Sequence, residues 1–152
     1  MPKFDYTKKR YWYHLSFDLD KDEIEIYPWD KRKHRSAGEP NGKRLCMAPS
    51  VAHCLTAIPQ RSHYFIYRTP FKITVQEPDG VYDSDITKEG WITEKIKLKR
   101  IGSINLDRIR QEMGDLPADA ALVPRIDWCK RCLRQWRVIA DFYTEPYVRP
   151  KA

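Results

Sequence analysis

Thiols and clustered cations are the side chains in this 152-residue chain whose types and spacing could do chemistry. The four cysteines are Cys46, Cys54, Cys129 and Cys132, the last two as Cys-Lys-Arg-Cys. Two close pairs of thiolates would suit a tetrahedral zinc ion, and one Cys-x-x-Cys pair would suit dithiol exchange. The spacing speaks against zinc, because seven residues separate Cys46 from Cys54, a poor knuckle. Cys129, Cys132, Leu133, Trp136, Ile139 and Ala140 recur on one helical stripe, and Cys54 shares a stripe with Val51, Leu55 and Ile58. Small buried thiols explain both pairs, so no metal site is expected.

The cations suggest binding. Lysine and arginine number 28 against 21 acidic residues, a formal charge of +7. Two runs concentrate this excess, DKRKHR at 30–35 and KIKLKR at 95–100. Such density attracts nucleic acid, nucleotides or an acidic protein surface. Arg32, Lys33 and Arg35 are the candidates in the first run. They sit in the Gly- and Pro-containing stretch 30–43, which reads as a long surface loop. Neither run has the regular aromatic interleaving of a single-strand-binding platform. No helix-turn-helix, zinc-finger or RNA-sheet signature is visible.

The elements that must position these groups follow from periodicity. Tyr11, Tyr13, Leu15 and Phe17 alternate with Trp12, His14, Ser16 and Asp18, a strand over 10–19, and a short edge strand is expected at Glu23–Tyr27. RLCMAPSVAHCLTAI (44–58) reads as a strand, a break and a helix capped by Ser50 and stopped by Pro59. Strands follow at 63–69 and 71–77, and a long one at 91–101 with Ile92, Ile96 and Leu98 inward and Lys95, Lys97 and Lys99 outward. A helix over 105–114 has Asn105 as cap, Leu106, Ile109 and Met113 inward and Gly114 as stop. An amphipathic helix at 125–142 and an irregular tail end the chain. The expected fold is α+β: one domain over 1–152, with twisted, mostly antiparallel sheets, a few helices and a C-terminal amphipathic helix. No apolar run reaches the roughly 18 residues of a membrane span, and the N-terminus lacks a signal-peptide core, so a cytoplasmic protein without a membrane partner is expected.

Three blocks in order, Tyr13-His14-Leu15-Ser16, then RLCMAPSVAHCLTAI, then Glu89-Gly90-Trp91 leading to Ile101-Gly102-Ser103-Ile104, resemble the ADP-ribosyltransferase-like fold. The resemblance is to the small versions carried by phages and prophages, over a core at 10–105 followed by a helical part at 105–142. It implies transfer of ADP-ribose from NAD to a protein or nucleic acid, or NAD glycohydrolysis. It also implies roles. His14 would hydrogen-bond a ribose hydroxyl, with Ser16 and Trp91 beside the cofactor, and Arg44 would hold a phosphate. Glu89, with Glu94 as second candidate, would stabilise the cationic ribose as nicotinamide leaves. RLCMAPS departs from the family in having no nicotinamide-stacking Tyr. The other function the sequence suggests is non-catalytic: a phage-encoded inhibitor of a host defence complex that binds an acidic macromolecule through its basic loops.

Overall fold

The fold was analysed in a computed structural model that describes residues 4–30, 43–57, 61–71, 73, 75–77, 88–114, 116 and 125–148. Its strands are β1 (Tyr13–Ser16), β2 (Glu23–Ile26), β3 (Trp29–Asp30), β4 (Lys43–Met47), β5 (His63–Arg68), β6 (Gly90–Ile92), β7 (Ile96–Asn105) and β8 (Glu145–Pro146). The helices are α1 (Val51–Ala57), α2 (Leu106–Met113) and α3 (Arg125–Tyr143). The larger sheet runs β1-β5-β7-β2, with β8 also paired to β7, and the smaller runs β3-β4-β6. Every ladder is antiparallel. Helices and antiparallel sheets in one small domain make this an α+β fold, as the periodicity predicts.

Alternation sorts the side chains of the larger sheet into two cores. Leu15, Tyr64, Ile66 and Ile104 face the helices and pack with Ala52 and Leu55 of α1, Leu106 and Ile109 of α2, and Cys132, Trp136 and Ile139 of α3. Trp12, Ile24, Tyr67 and Leu98 face the other way and pack with Leu45, Met47 and Ile92 of the smaller sheet. Each buried side chain of this size contributes about 1.5–3 kcal/mol. The strand β7 feeds both cores because its pairing with β5 slips between Ile66 and Tyr67: Gly102 opposes Ile66 and Arg100 opposes Tyr67. The extra residue, Ile101, inverts the alternation, so Ile96 and Leu98 point to one core and Ile104 to the other.

The stretch 91–101, which reads as one strand, is two. The segment Thr93-Glu94-Lys95 carries the chain out of the smaller sheet and into the larger one. Consequently β1 and 96–101 share a sheet but are separated by β5. The described part of 71–77 makes only one bridge, Gln76 to Trp91. The tail is not irregular either: β8 crosses β7 at Gly102, where a Cβ would lie 2.5 Å from the Glu145 carbonyl oxygen. Arg100 is sandwiched between the rings of Phe65 (4.6 Å) and Tyr147 (4.3 Å) and pairs with Asp20, which locks this crossing.

Helix boundaries agree closely with the capping signals. Asn105 accepts from Arg108 N–H at 3.0 Å, and Gly114 ends α2 with φ 86°. Met113 is exposed rather than inward. Ser50 caps α1 by accepting from His53 N–H at 3.2 Å. Among the described residues no helix is long and apolar enough to cross a membrane.

Candidate functional site

Among the described residues the two sheets are joined by one backbone bridge. Tyr13 donates to the Ala48 carbonyl at 2.7 Å and Ala48 donates to the Tyr13 carbonyl at 3.1 Å. On one side of this seam Tyr13 pairs with Arg68 of β5, and on the other Met47, next to Ala48, pairs with Gly90 of β6. The backbones therefore line up as β5-β1-β4-β6 through residues 68, 13, 48 and the start of β6. Beyond the bridge β1 and β4 belong to different sheets and part, so the facing of one no longer dictates the facing of the other.

This row brings the three sequence blocks together. His14 is the first residue past the bridge. It is half-buried and lies opposite Tyr67, on the same side of β1 as Trp12. Ser16 is buried, and its hydroxyl is used locally, donating to Asp18 at 3.1 Å and accepting from Leu19 N–H at 3.1 Å. That hydroxyl caps the turn after β1, which is a sufficient reason for its burial. Glu89 immediately precedes β6, which pairs with β4 on the far side of the bridge from β1. Its carboxylate accepts from the indole N–H of buried Trp91 at 3.1 Å, so Trp91 acts as an orienting donor. The backbone of Trp91 is held from both sides, by Cys46 in β4 and by Gln76. Gly90 is required between them: a Cβ there would come within 2.9 Å of the Trp12 ring and 2.8 Å of Val75. Glu94 is exposed in the link between the sheets, away from the β4–β6 ladder. Arg44 lies in β4 with its backbone paired to Trp29. Arg32, Lys33 and Arg35 lie outside the described residues.

The second basic run has a structural explanation that its sequence conceals. On β2, Glu23 lies opposite Lys99 and Glu25 opposite Lys97, and Glu25 also pairs with Lys95 at 3.5 Å. Exposed pairs of this kind add little stability. The two glutamates offset part of the charge of these three lysines.

Two further cations, not linked by any sequence spacing, meet at the N-terminal segment. Arg10 and Lys88 both lie over the Phe4 ring, at 4.3 Å and 5.7 Å. Phe4 and Tyr6 in turn pack on Trp12, which anchors the N-terminal segment beside the seam. Buried His53 sits next to this group. Its Nδ1 is 2.6 Å from the Ser50 hydroxyl, and its pKa is pushed down to about 4, mainly by burial and then by the charges of Arg137, Lys88 and Arg10. His53 is therefore neutral at pH 7 and surrounded by positive charge.

Cys54 is buried, with its thiol pushed up to about 12 by desolvation, and Cys132 is buried too, so neither is exposed as a reactive cysteine is. Among the described residues no three His, Cys, Asp or Glu side chains come together as a metal would require. Comparison with protein-family models, with curated proteins and with solved structures found no match.

Proposed function

We propose that the protein binds NAD at the seam between its sheets and transfers ADP-ribose, or hydrolyses NAD, with Glu89 as the carboxylate that stabilises the developing ribosyl cation. The observation that supports this reading is the convergence at one bridge of three blocks far apart in sequence, with Glu89 held by the Trp91 indole and His14 just past the parting of the strands. The Trp91 donor fixes the orientation of this carboxylate, and negative charge near the anomeric carbon acts most strongly when that carbon becomes cationic. His14 would hold the ribose, while Trp91 orients Glu89 instead of touching the cofactor.

A thermal melt with NAD tests the reading. NAD at about a hundred times its dissociation constant adds roughly 2.7 kcal/mol to the folded state, an easily measured shift. His14→Ala is expected to abolish the shift with the unliganded melting temperature unchanged. Glu89→Gln is expected to keep the shift and lose nicotinamide release. A flat melt with NAD in the unsubstituted protein would overturn the proposal and leave the acidic-macromolecule binder as the reading to pursue.

A further inference from the structure

We infer that the outer face of α3 is a self-association surface on which a second copy of this chain packs antiparallel. This surface is independent of the seam and of any NAD chemistry. The inner face of α3 is committed to the core through Cys132, Trp136, Ile139 and Ala140. At about 100° per residue, Arg131, Arg134, Val138, Asp141 and Phe142 fall within one arc of roughly 100° on the opposite side. All five are exposed. Val138 is 70% exposed and Phe142 77%, one helical turn apart, so two large apolar side chains stand together in solvent. A single exposed apolar residue is ordinary, whereas a pair at i and i+4 framed by charges is a small patch with a defined rim.

The order of charges along this face decides the occupant. Arg131 and Arg134 lie N-terminal to Val138, and Asp141 and Phe142 lie C-terminal to it. A second α3 laid parallel would set Arg131 on Arg131 and Arg134 on Arg134, with repulsion at each pair. Laid antiparallel about a two-fold axis at Val138, the face is complementary to itself. Val138 then meets its own copy. The Arg134 guanidinium of each chain comes against Phe142 and Asp141 of the other, a cation–π contact beside an ion pair, made twice by symmetry. Nucleic acid matches the face less well, since Asp141 repels phosphate and the Val138 side chain has no charge to offer it. A lipid surface calls for a broader apolar stripe than two side chains one turn apart. One helix pair buries less than the roughly 1,200 Å² of a stable complex, so the dimer is weak, with a dissociation constant on the order of 100 µM.

Sedimentation equilibrium of the full chain tests this surface. Between about 10 µM and about 1 mM the weight-average mass is expected to climb from 18.1 kDa toward twice that value. Val138→Arg sets two like charges at the two-fold axis and is expected to weaken association more than about tenfold, and Phe142→Ser about tenfold. Arg134→Glu and Asp141→Arg are each expected to weaken it about tenfold, since each brings like charges together twice in its own dimer. Mixed in equal amounts, these two variants are expected to associate with each other within about threefold of the unsubstituted chain, because every pair across the axis is then Glu with Arg or Asp with Arg. All four positions are exposed, so the melting temperature of each dilute variant should match that of the unsubstituted protein. A mass that stays at 18.1 kDa up to about 1 mM, association untouched by Val138→Arg, or no recovery on mixing would overturn the inference. A monomer that instead binds poly-glutamate or phosphatidylserine vesicles through Phe142 would assign the face to a foreign partner and overturn it as well.

Discussion

Acidification is expected to unfold this protein largely through one imidazole. His53 is buried beside the Ser50 hydroxyl and faces the charges of Arg137, Lys88 and Arg10; together with burial, these hold its pKa at about 4 against an ordinary 6.5. A base whose folded pKa is depressed gives stability that is fully present above the unfolded pKa and is lost as pH falls toward the folded one. The window therefore lies between 6.5 and about 4. At pH 5 the unfolded state holds nearly a full proton more at this site, and integrating from pH 7 gives a loss of about 2 kcal/mol. Urea unfolding at pH 5, 6 and 7 measures it. Acidic residues titrate too, so the comparison is with His53→Gln, which retains a polar partner for Ser50 but cannot charge. The unsubstituted protein should lose about 2 kcal/mol more than the variant between pH 7 and pH 5. Parallel profiles, or an imidazole that titrates near 6.5 by NMR, would refute the argument.

Two further substitutions test how the layers are fastened. Gly102→Ala should destabilise by about 1–3 kcal/mol in urea unfolding, because the new methyl would press on the Glu145 carbonyl and force β8 from β7. Tyr67→Phe should cost about 1–3 kcal/mol by the same measurement: the buried hydroxyl donates to the Leu19 carbonyl at 2.5 Å, with the Lys21 carbonyl at 2.9 Å, and accepts from Lys21 N–H at 3.1 Å.

Local signals in this sequence are accurate where local physics decides. Ser50, Asn105 and Gly114 mark helix ends because a cap is satisfied within a few residues. The edge strand Glu23–Ile26 is legible from its alternation. The alternation of Ile92, Ile96 and Leu98 misleads, because it continues unbroken while the backbone leaves one sheet and enters another. Only the pairing partners of β6 and β7, dozens of residues away, reveal the break. The basic character of 95–99 overstates the local charge for the same reason, since the glutamates that offset part of it come from β2. His14 and Glu89 stand out by type and local pattern. The meeting of Arg10 and Lys88 over the Phe4 ring does not, because no spacing links residues that only the tertiary fold gathers. The resemblance places Trp91 beside the cofactor, and nothing in the local pattern marks its indole N–H as a donor to Glu89.

The strand order also bears on how quickly the chain can find this structure. None of the described ladders of the larger sheet is a tight hairpin: Arg68 reaches Lys99 in the shortest of them, Tyr13 reaches back from Arg68, and Glu23 waits for Lys99. Each such closure costs loop entropy before any strand gains its hydrogen bonds. A topology so dominated by distant partners belongs with domains that fold over milliseconds to seconds. During that interval β7, which must acquire β5, β2 and β8 in turn, exposes an apolar, hydrogen-bond-hungry edge. The Lys95, Lys97 and Lys99 side chains along it have a second use at that stage, repelling other copies of the same nascent strand until the glutamates of β2 arrive opposite them.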